Sequence, residues 1–232
     1  MTAGIDTPDA RGRTGLDRTG LDLDRNPRVK VRDVALLSSH WYVERATTYD
    51  LRRTDGTWST QTRETHDRGN GATLLLYDTE RETVLLTRQF RFPVYVNGHP
   101  DGMLVETPGG VLDDEDEHPE VAVRREAVEE TGHTVGDVRH VFDVYMSPGS
   151  VTERVSFYAA AYGTATRTHE GGGLDEEGED IEILELPFRR ALEMIRTGEI
   201  ADAKTIMLLQ WAALDGPFAP RVTPCSTPGS DR

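Results

Sequence analysis

The sequence predicts a mixed α/β layered domain, and three observations predict it. Strand-like segments with alternating, β-branched or aromatic residues fill the stretch from Val29 to Glu106. One long helical segment follows, at about Pro119 to Thr131. More strands then lie between Val138 and Leu186, ahead of two closing helices. Strands on both sides of one central helix imply layers packed around a shared core. The expected α+β arrangement is a central helix sandwiched between mixed β-sheets, preceded by a strand-rich N-terminal segment.

Residues 1–28 carry R-T-G-L-D twice in tandem, Arg13 to Asp17 and Arg18 to Asp22. So little apolar surface predicts a disordered extension. Residues 216–232 predict a disordered tail for the same reason, which leaves 29–215 as one domain. Within it, V-K-V-R-D-V-A-L-L, W-Y-V-E-R-A-T-T-Y-D-L and T-W-S-T-Q-T-R-E-T read as strands, with Asp55-Gly56 as a hairpin turn. A-T-L-L-L-Y-D and T-V-L-L-T-R-Q-F form a second hairpin around Thr79 to Glu82. M-L-V-E, V-R-H-V-F-D-V-Y, R-V-S-F-Y-A-A-A-Y and I-E-I-L-E-L are further strands. The central helix opens on a proline, which suits a first turn, and Gly132 can supply a left-handed cap. The last helices are Phe188 to Thr197 and about Asp202 to Leu214.

The formal net charge of the 232-residue chain is −15. That argues against a nucleic-acid-binding surface, which needs a basic patch to displace counterions. An anionic substrate would need local arginines or a metal to approach. The hydrophobic share of 36% is enough for an ordinary core. A single cysteine, Cys225, permits no intramolecular disulfide and no Cys-based metal site, which fits a reducing cytoplasm. The start, M-T-A-G-I-D-T-P-D-A, lacks a signal-peptide apolar region, and no apolar run approaches the ~18 residues of a membrane helix. The expectation is a soluble cytoplasmic protein with neither a nucleic acid nor a membrane as partner.

The stretch R-E-A-V-E-E-T-G, Arg125 to Gly132, places Glu126, Glu129 and Glu130 as neighbours on one helical face. Like charges at these spacings cost roughly 0.2–0.5 kcal/mol per pair. At ~100° per residue, Val121 and Val128 fall on one flank and Val123 and Ala127 on another, with the glutamates in the wedge between. A solvated acidic face is the bland account. The setting favours a ligand instead. P-G-G (Pro108 to Gly110) forms a turn after a strand, and Arg125 can hold a neighbouring carboxylate in place. Clustered hard oxygen ligands without His or Cys suit Mg²⁺ or Mn²⁺.

These segments resemble the Nudix box, G-x5-E-x7-R-E-U-x-E-E-x-G-U with U a bulky apolar residue. Glu117 and Arg125 to Gly132 match it, while six residues rather than five separate Gly110 from Glu117, and His133 stands where an aliphatic residue is usual. The extra residue lies in the acidic loop D-D-E-D-E, away from the helix. D-R-G-N-G-A-T-L-L-L-Y, R-Q-F-R, Y-M-S-P-G-S-V-T-E and E-D-I-E-I-L-E-L-P-F-R-R-A-L-E-M-I-R-T-G-E-I resemble the nucleoside-diphosphate-sugar branch of the Nudix hydrolases. The likeness runs from about Leu36 to Leu209. It implies the Nudix fold, a homodimer with its N-terminal strands (29–66) exchanged between subunits, and metal-dependent hydrolysis of a nucleoside-diphosphate sugar. GDP-mannose, giving GMP and mannose 1-phosphate, is the expected substrate, and ADP-ribose, giving AMP and ribose 5-phosphate, is the alternative. A nucleotide-sensing regulator without catalysis is a third reading, disfavoured by the intact Glu126, Glu129 and Glu130.

The resemblance also implies roles. Glu126, Glu129 and Glu130 would be ligands to Mg²⁺ (or Mn²⁺), with the carbonyl of Gly109 as a further ligand. In the acidic loop L-D-E-E-G-E-D-I, Glu177 would be the catalytic base and Glu179 another metal ligand, with Asp175 and Glu176 as alternatives in register. The preceding G-G-G (Gly171 to Gly173) would let that loop close over substrate. Arg68 and Arg91 are candidates for the diphosphate, since guanidinium forks match phosphate oxygens, with structural ion pairs as the alternative. Tyr42 is a candidate for stacking on the base bound by the partner subunit, or for the core. Lys204 is a candidate substrate contact, and Ser147 and Glu153 are candidates for the border of the sugar pocket. The seven histidines are scattered without a ligand spacing and receive no role.

Overall fold

The computed structural model describes residues 4, 5, 7–10, 12, 22, 23, 25–112, 118–174, 176 and 178–220. An N-terminal meander comes first: β1 (Val29–Ser39), β2 (Val43–Arg52) and β3 (Trp58–Asp67) pair antiparallel in that order. The second sheet holds β4 (Gly71–Asp78), β5 (Thr83–Phe90), β6 (Met103–Glu106), β7 (Gly109–Val111), β8 (Val138–Tyr145), β9 (Arg154–Ala161) and β10 (Glu182–Pro187). Its order is β10-β5-β4-β9-β8, with β6 beside β5 and β7 beside β4. Only the central β4–β9 pair is parallel among the described strands. The α-helices among the described residues are α1 (Phe92–Val96), α2 (Pro119–Thr131), α3 (Phe188–Thr197) and α4 (Ala203–Leu214).

The mixed α/β class is as predicted, but the layer order differs from the expected helix between sheets. The seven-stranded sheet is the middle layer. Every residue of β4 from Gly71 to Leu76 is buried, so this strand needs cover on both faces. Side chains alternate across a strand. Leu74 and Leu76 accordingly meet Ala122, Val123 and Ala127 of α2, while Leu75 meets Leu208 and Leu209 of α4 on the far face.

Helix α2 runs over the predicted residues. The His118 side chain accepts from the Glu120 N–H at its start, and Gly132 ends it in the left-handed conformation at φ 73°. Val121, placed by the sequence on an apolar flank, is 57% exposed, because the buried run begins only at Ala122. His133 is buried and its Nδ1 bonds the Thr166 hydroxyl at 2.9 Å, so it acts as a structural replacement for the usual aliphatic residue. Helix α1 was not anticipated; at five residues it is too short for a periodic signal. No helix among the described residues is long and apolar enough to cross a membrane.

Several residues of the segment expected to be an extension meet the N-terminal sheet. The Arg45 side chain is fully buried and pairs with buried Asp67 at 3.0 Å. Its guanidinium donates to the carbonyls of Gly4 (2.6 Å), Ile5 (3.2 Å) and Thr7 (2.6 Å). A buried guanidinium needs acceptors on all its edges. Composition gives no sign of this contact.

Candidate active site

Helix α2 carries Glu126, Glu129 and Glu130 along the side that faces β7. Arg125 Nη1 bonds Glu126 Oε1 at 3.2 Å and Glu129 Oε2 at 3.0 Å, which offsets the repulsion within the strip. Glu130 is 2% exposed, and its Oε2 is buried without a hydrogen-bond partner. Burial, then the neighbouring carboxylates of Glu126 and Glu179, push its pKa well above the usual carboxylate range. An orphaned buried carboxylate oxygen between two other carboxylates is a costly arrangement that a hard divalent cation relieves. As arranged, no three acidic or histidine side chains converge closely enough to hold an ion among the described residues. Arg125 occupies two of the carboxylates.

The turn opposite is shaped for close approach. Gly109 has φ 153°, and a Cβ there would lie 2.3 Å from the Ala72 carbonyl oxygen. At Gly110 a Cβ would lie 2.2 Å from Glu126 Oε1. These two glycines let β7 pair with β4 while Glu126 rests on the backbone. From the other side, Gly172 N and Gly173 N donate to the carbonyls of Glu130 (2.9 Å) and Glu129 (3.0 Å), which pins the acidic loop to the end of α2. Glu179, on that loop, lines the cleft, and its Oε2 accepts from Leu174 N at 3.0 Å.

The acidic strip borders a cleft whose cations are each set against a carboxylate. A recess of about 140 Å³ is lined by Arg125, Glu126, Glu129 and Glu179 together with Tyr42, Arg68, Arg91, Gly109 and Gly110. Those last five also line an adjoining cavity of about 340 Å³ that includes Met146, Glu153 and Lys204. Arg68 sits 5.8 Å over the Tyr42 ring, and its Nε lies 3.6 Å from Glu153 Oε1. Arg91 forks onto Glu106 through Nε (2.8 Å) and Nη2 (3.2 Å). Lys204 Nζ bonds Asp202 at 2.7 Å and reaches Glu106 at 3.4 Å.

Glu106 escaped the sequence reading. Its only signal is a charge at the last position of M-L-V-E, just before T-P-G-G. It is 3% exposed. Burial alone would raise its pKa, but Lys204 and Arg91 outweigh that and hold it below its ordinary 4.5. A carboxyl whose folded pKa is depressed stabilises the fold above its unfolded pKa and loses that contribution as pH falls through the folded value. Glu106→Gln is therefore expected to cost about 3 kcal/mol at neutral pH, since two cations lose a buried partner. Urea denaturation should show the gap between wild type and variant closing as pH drops below 4.5.

Of the residues singled out by sequence, Tyr42, Arg68, Arg91, Gly109, Glu126, Glu129, Glu153, Glu179 and Lys204 line this joint cleft. Glu130 is buried behind it. Tyr42, expected to serve the partner subunit, lies in the cleft of its own chain, edge-on to His66 at 4.9 Å. Ser147 does not border the cavity: it is exposed, and its carbonyl accepts from Ser150 N and Val151 N to close a turn. The S-P-G-S stretch is legible as a turn, so its hydroxyl was a weak guide to the pocket. Glu177 and Glu117 lie outside the described residues, and Glu176 is exposed.

Comparison with known proteins agrees with this geometry. The family model described as the NUDIX domain matches residues 67–209, and the one described as the GDP-mannose pyrophosphatase NudK N-terminal domain matches residues 28–66. The GDP-mannose pyrophosphatase of Pectobacterium atrosepticum is 51% identical over 191 residues, covering 82% of this chain and 97% of that one. That of Enterobacter sp. (strain 638) is 50% identical over 192 residues, covering 83% and 98%. That of Salmonella paratyphi B is 53% identical over 176 residues, covering 76% and 90%. The matched span carries the acidic helix, the glycine turn and the cleft arginines alike, and on that footing the chain belongs to the Nudix hydrolase family, whose members act on a pyrophosphate bond.

Proposed function

We propose that this enzyme hydrolyses GDP-mannose to GMP and mannose 1-phosphate in the cytoplasm, with Mg²⁺ as its metal and Mn²⁺ as a substitute. The observation that carries the reading is the 51% identity to a GDP-mannose pyrophosphatase over 97% of its length, with family models matching both the N-terminal sheet and the Nudix domain. The geometry suits it. A diphosphate lying across Gly109 and Gly110 has carboxylates for a metal on one side and Arg68, Arg91 and Lys204 on the other. Glu126, Glu129, Glu130, Glu179 and the Gly109 carbonyl would hold the ion. A divalent cation there supplies neutralising charge for phosphate oxygens and acidifies bound water. Arg68 and Arg91 orient the diphosphate with their forks, and Tyr42, beside Arg68, offers a ring face to the base.

A panel of GDP-mannose and ADP-ribose, read as phosphate released by a coupling phosphatase, tests the substrate. The expected kcat/KM favours GDP-mannose, and a preference for ADP-ribose overturns that choice.

Glu177 is proposed as the base. Glu177→Gln should depress kcat strongly with KM nearly unchanged, because proton removal from water belongs to the chemical step. Glu179→Gln should instead weaken apparent Mg²⁺ affinity and be partly rescued by added metal. Metal rescue of the Glu177 variant would mean that the base lies elsewhere on the loop.

The proposed assembly is a homodimer through the N-terminal sheet. Leu36, Leu37 and Trp41 are 42%, 51% and 50% exposed at the end of that sheet near the β1–β2 turn, and this apolar end supports the reading. Light scattering should give a dimer at micromolar concentration. A fully active monomer would contradict it.

A further inference from the structure

The cleft has two cations that share one buried carboxylate, that of Glu106, which is 3% exposed. Arg91 stands on the loop after β5, and Lys204 in the first turn of α4. Arg91 takes its carboxylate from 15 residues further along the chain, whereas Lys204 also has a near neighbour, Asp202. Glu106, at the end of β6, reaches both: Oε1 and Oε2 take the Nε and Nη2 of Arg91 at 2.8 and 3.2 Å, and Oε2 lies 3.4 Å from Lys204 Nζ.

The mount beneath Glu106 is rigid. The next residue, Thr107, donates its N–H to the Thr205 hydroxyl at 2.7 Å. The Thr205 N–H and hydroxyl in turn donate to Asp202 Oδ2 at 2.9 and 2.8 Å, capping α4. Thr107 and Thr205 are 2% and 0% exposed. The end of β6 and the first turn of α4 are thus stitched together by buried hydrogen bonds. Lys204 stands next to that stitch, and Asp202 Oδ1 holds its Nζ at 2.7 Å.

The mode of grip matters. A carboxylate that takes the Nε–Nη2 side of a guanidinium leaves the Nη1 side for another ligand. Arg91 lines both halves of the cleft, so the side left over is available where a diphosphate would lie. A buried carboxylate also holds two like charges near one another that would otherwise repel.

We propose that Glu106 is a positioning residue for substrate binding: it turns the free edge of Arg91 toward the diphosphate and fixes Lys204 beside it as a second cationic contact. This rests on the diphosphate reading given above. Orientation of two cations on the phosphates acts in the ground state and the transition state alike, so its loss appears in KM before kcat.

The test uses the full chain at a temperature well below melting, with whichever of GDP-mannose or ADP-ribose the wild type hydrolyses. Absence of wild-type turnover on both defeats the substrate reading, whereas the ratios between variants address Glu106 alone. Glu106→Gln is expected to raise KM at least tenfold with kcat changed less than threefold. The double variant Glu106→Gln/Arg91→Gln should be no worse than the more impaired single variant. Glu106→Asp keeps the charge but shortens the reach; it should fold more stably than Glu106→Gln and show an intermediate KM. Unchanged KM in a less stable Glu106→Gln protein, or multiplicative effects of the two substitutions, would overturn the proposal by making Glu106 a structural residue only.

Discussion

Glu130→Gln is expected to lower kcat by about a thousandfold, equivalent to ~4 kcal/mol of lost transition-state stabilisation. The fold should survive. Glu130 is 2% exposed and its Oε2 has no hydrogen-bond partner, so the wild-type protein carries a costly buried acid between Glu126 and Glu179 in the absence of metal. An amide of similar size removes the charge from that site. Without metal, the variant should therefore melt no lower than the wild type. With Mg²⁺ the order should reverse, because a ligand that binds only the folded state stabilises it by mass action and the variant binds it less well. Calorimetry with and without Mg²⁺, beside an activity assay, separates the two effects. Wild-type turnover in the variant would remove Glu130 from the metal site.

Gly109→Ala is expected to have the largest effect on stability, a loss of more than ~3 kcal/mol. The new Cβ would run into the backbone of β4, with the Ala72 carbonyl oxygen at 2.3 Å and Thr73 Cα at 2.7 Å, at a φ of 153° that L residues rarely adopt. Neither neighbour can move without breaking the pairing of β7 with the buried β4. Gly110→Ala provides the contrast. There the Cβ meets the tip of a side chain, Glu126 Oε1 at 2.2 Å, which can swing away. That variant should fold, with a clear loss of kcat as Glu126 leaves its place. Urea denaturation and kinetics of the pair check both halves. A stable Gly109→Ala protein would mean that β7 is not held as described.

Those two glycines also show where sequence reasoning stops. P-G-G read as a turn, and β7 is a strand only because Gly109 and Gly110 let it lie against Ala72 and Thr73. Helix α2, by contrast, carries its boundaries in local chemistry, with a proline at the start and Gly132 at the end, and its span was legible to the residue. The acidic strip was legible because three glutamates on one face of a helix contradict local electrostatics. Layer order was not: the apolar run of β4 fits cover on two faces by helices as well as by sheets, and only the long-range packing of α2 on one face and α4 on the other decides. Glu106 and the contacts of Arg45 were invisible for a related reason. Each is a charge whose partners lie far away in sequence, Lys204 for one and Gly4 to Thr7 for the other. Ser147 erred the other way, as a polar residue whose backbone, not its hydroxyl, has the work of a turn.

The most direct test of the account is identification of the products formed from GDP-mannose by the full chain with Mg²⁺, separated by anion-exchange chromatography. Attack at the diphosphate across Gly109 and Gly110 predicts GMP and mannose 1-phosphate in equal amounts, and neither when the metal is chelated. GDP and free mannose, or turnover that persists without a divalent ion, would contradict it.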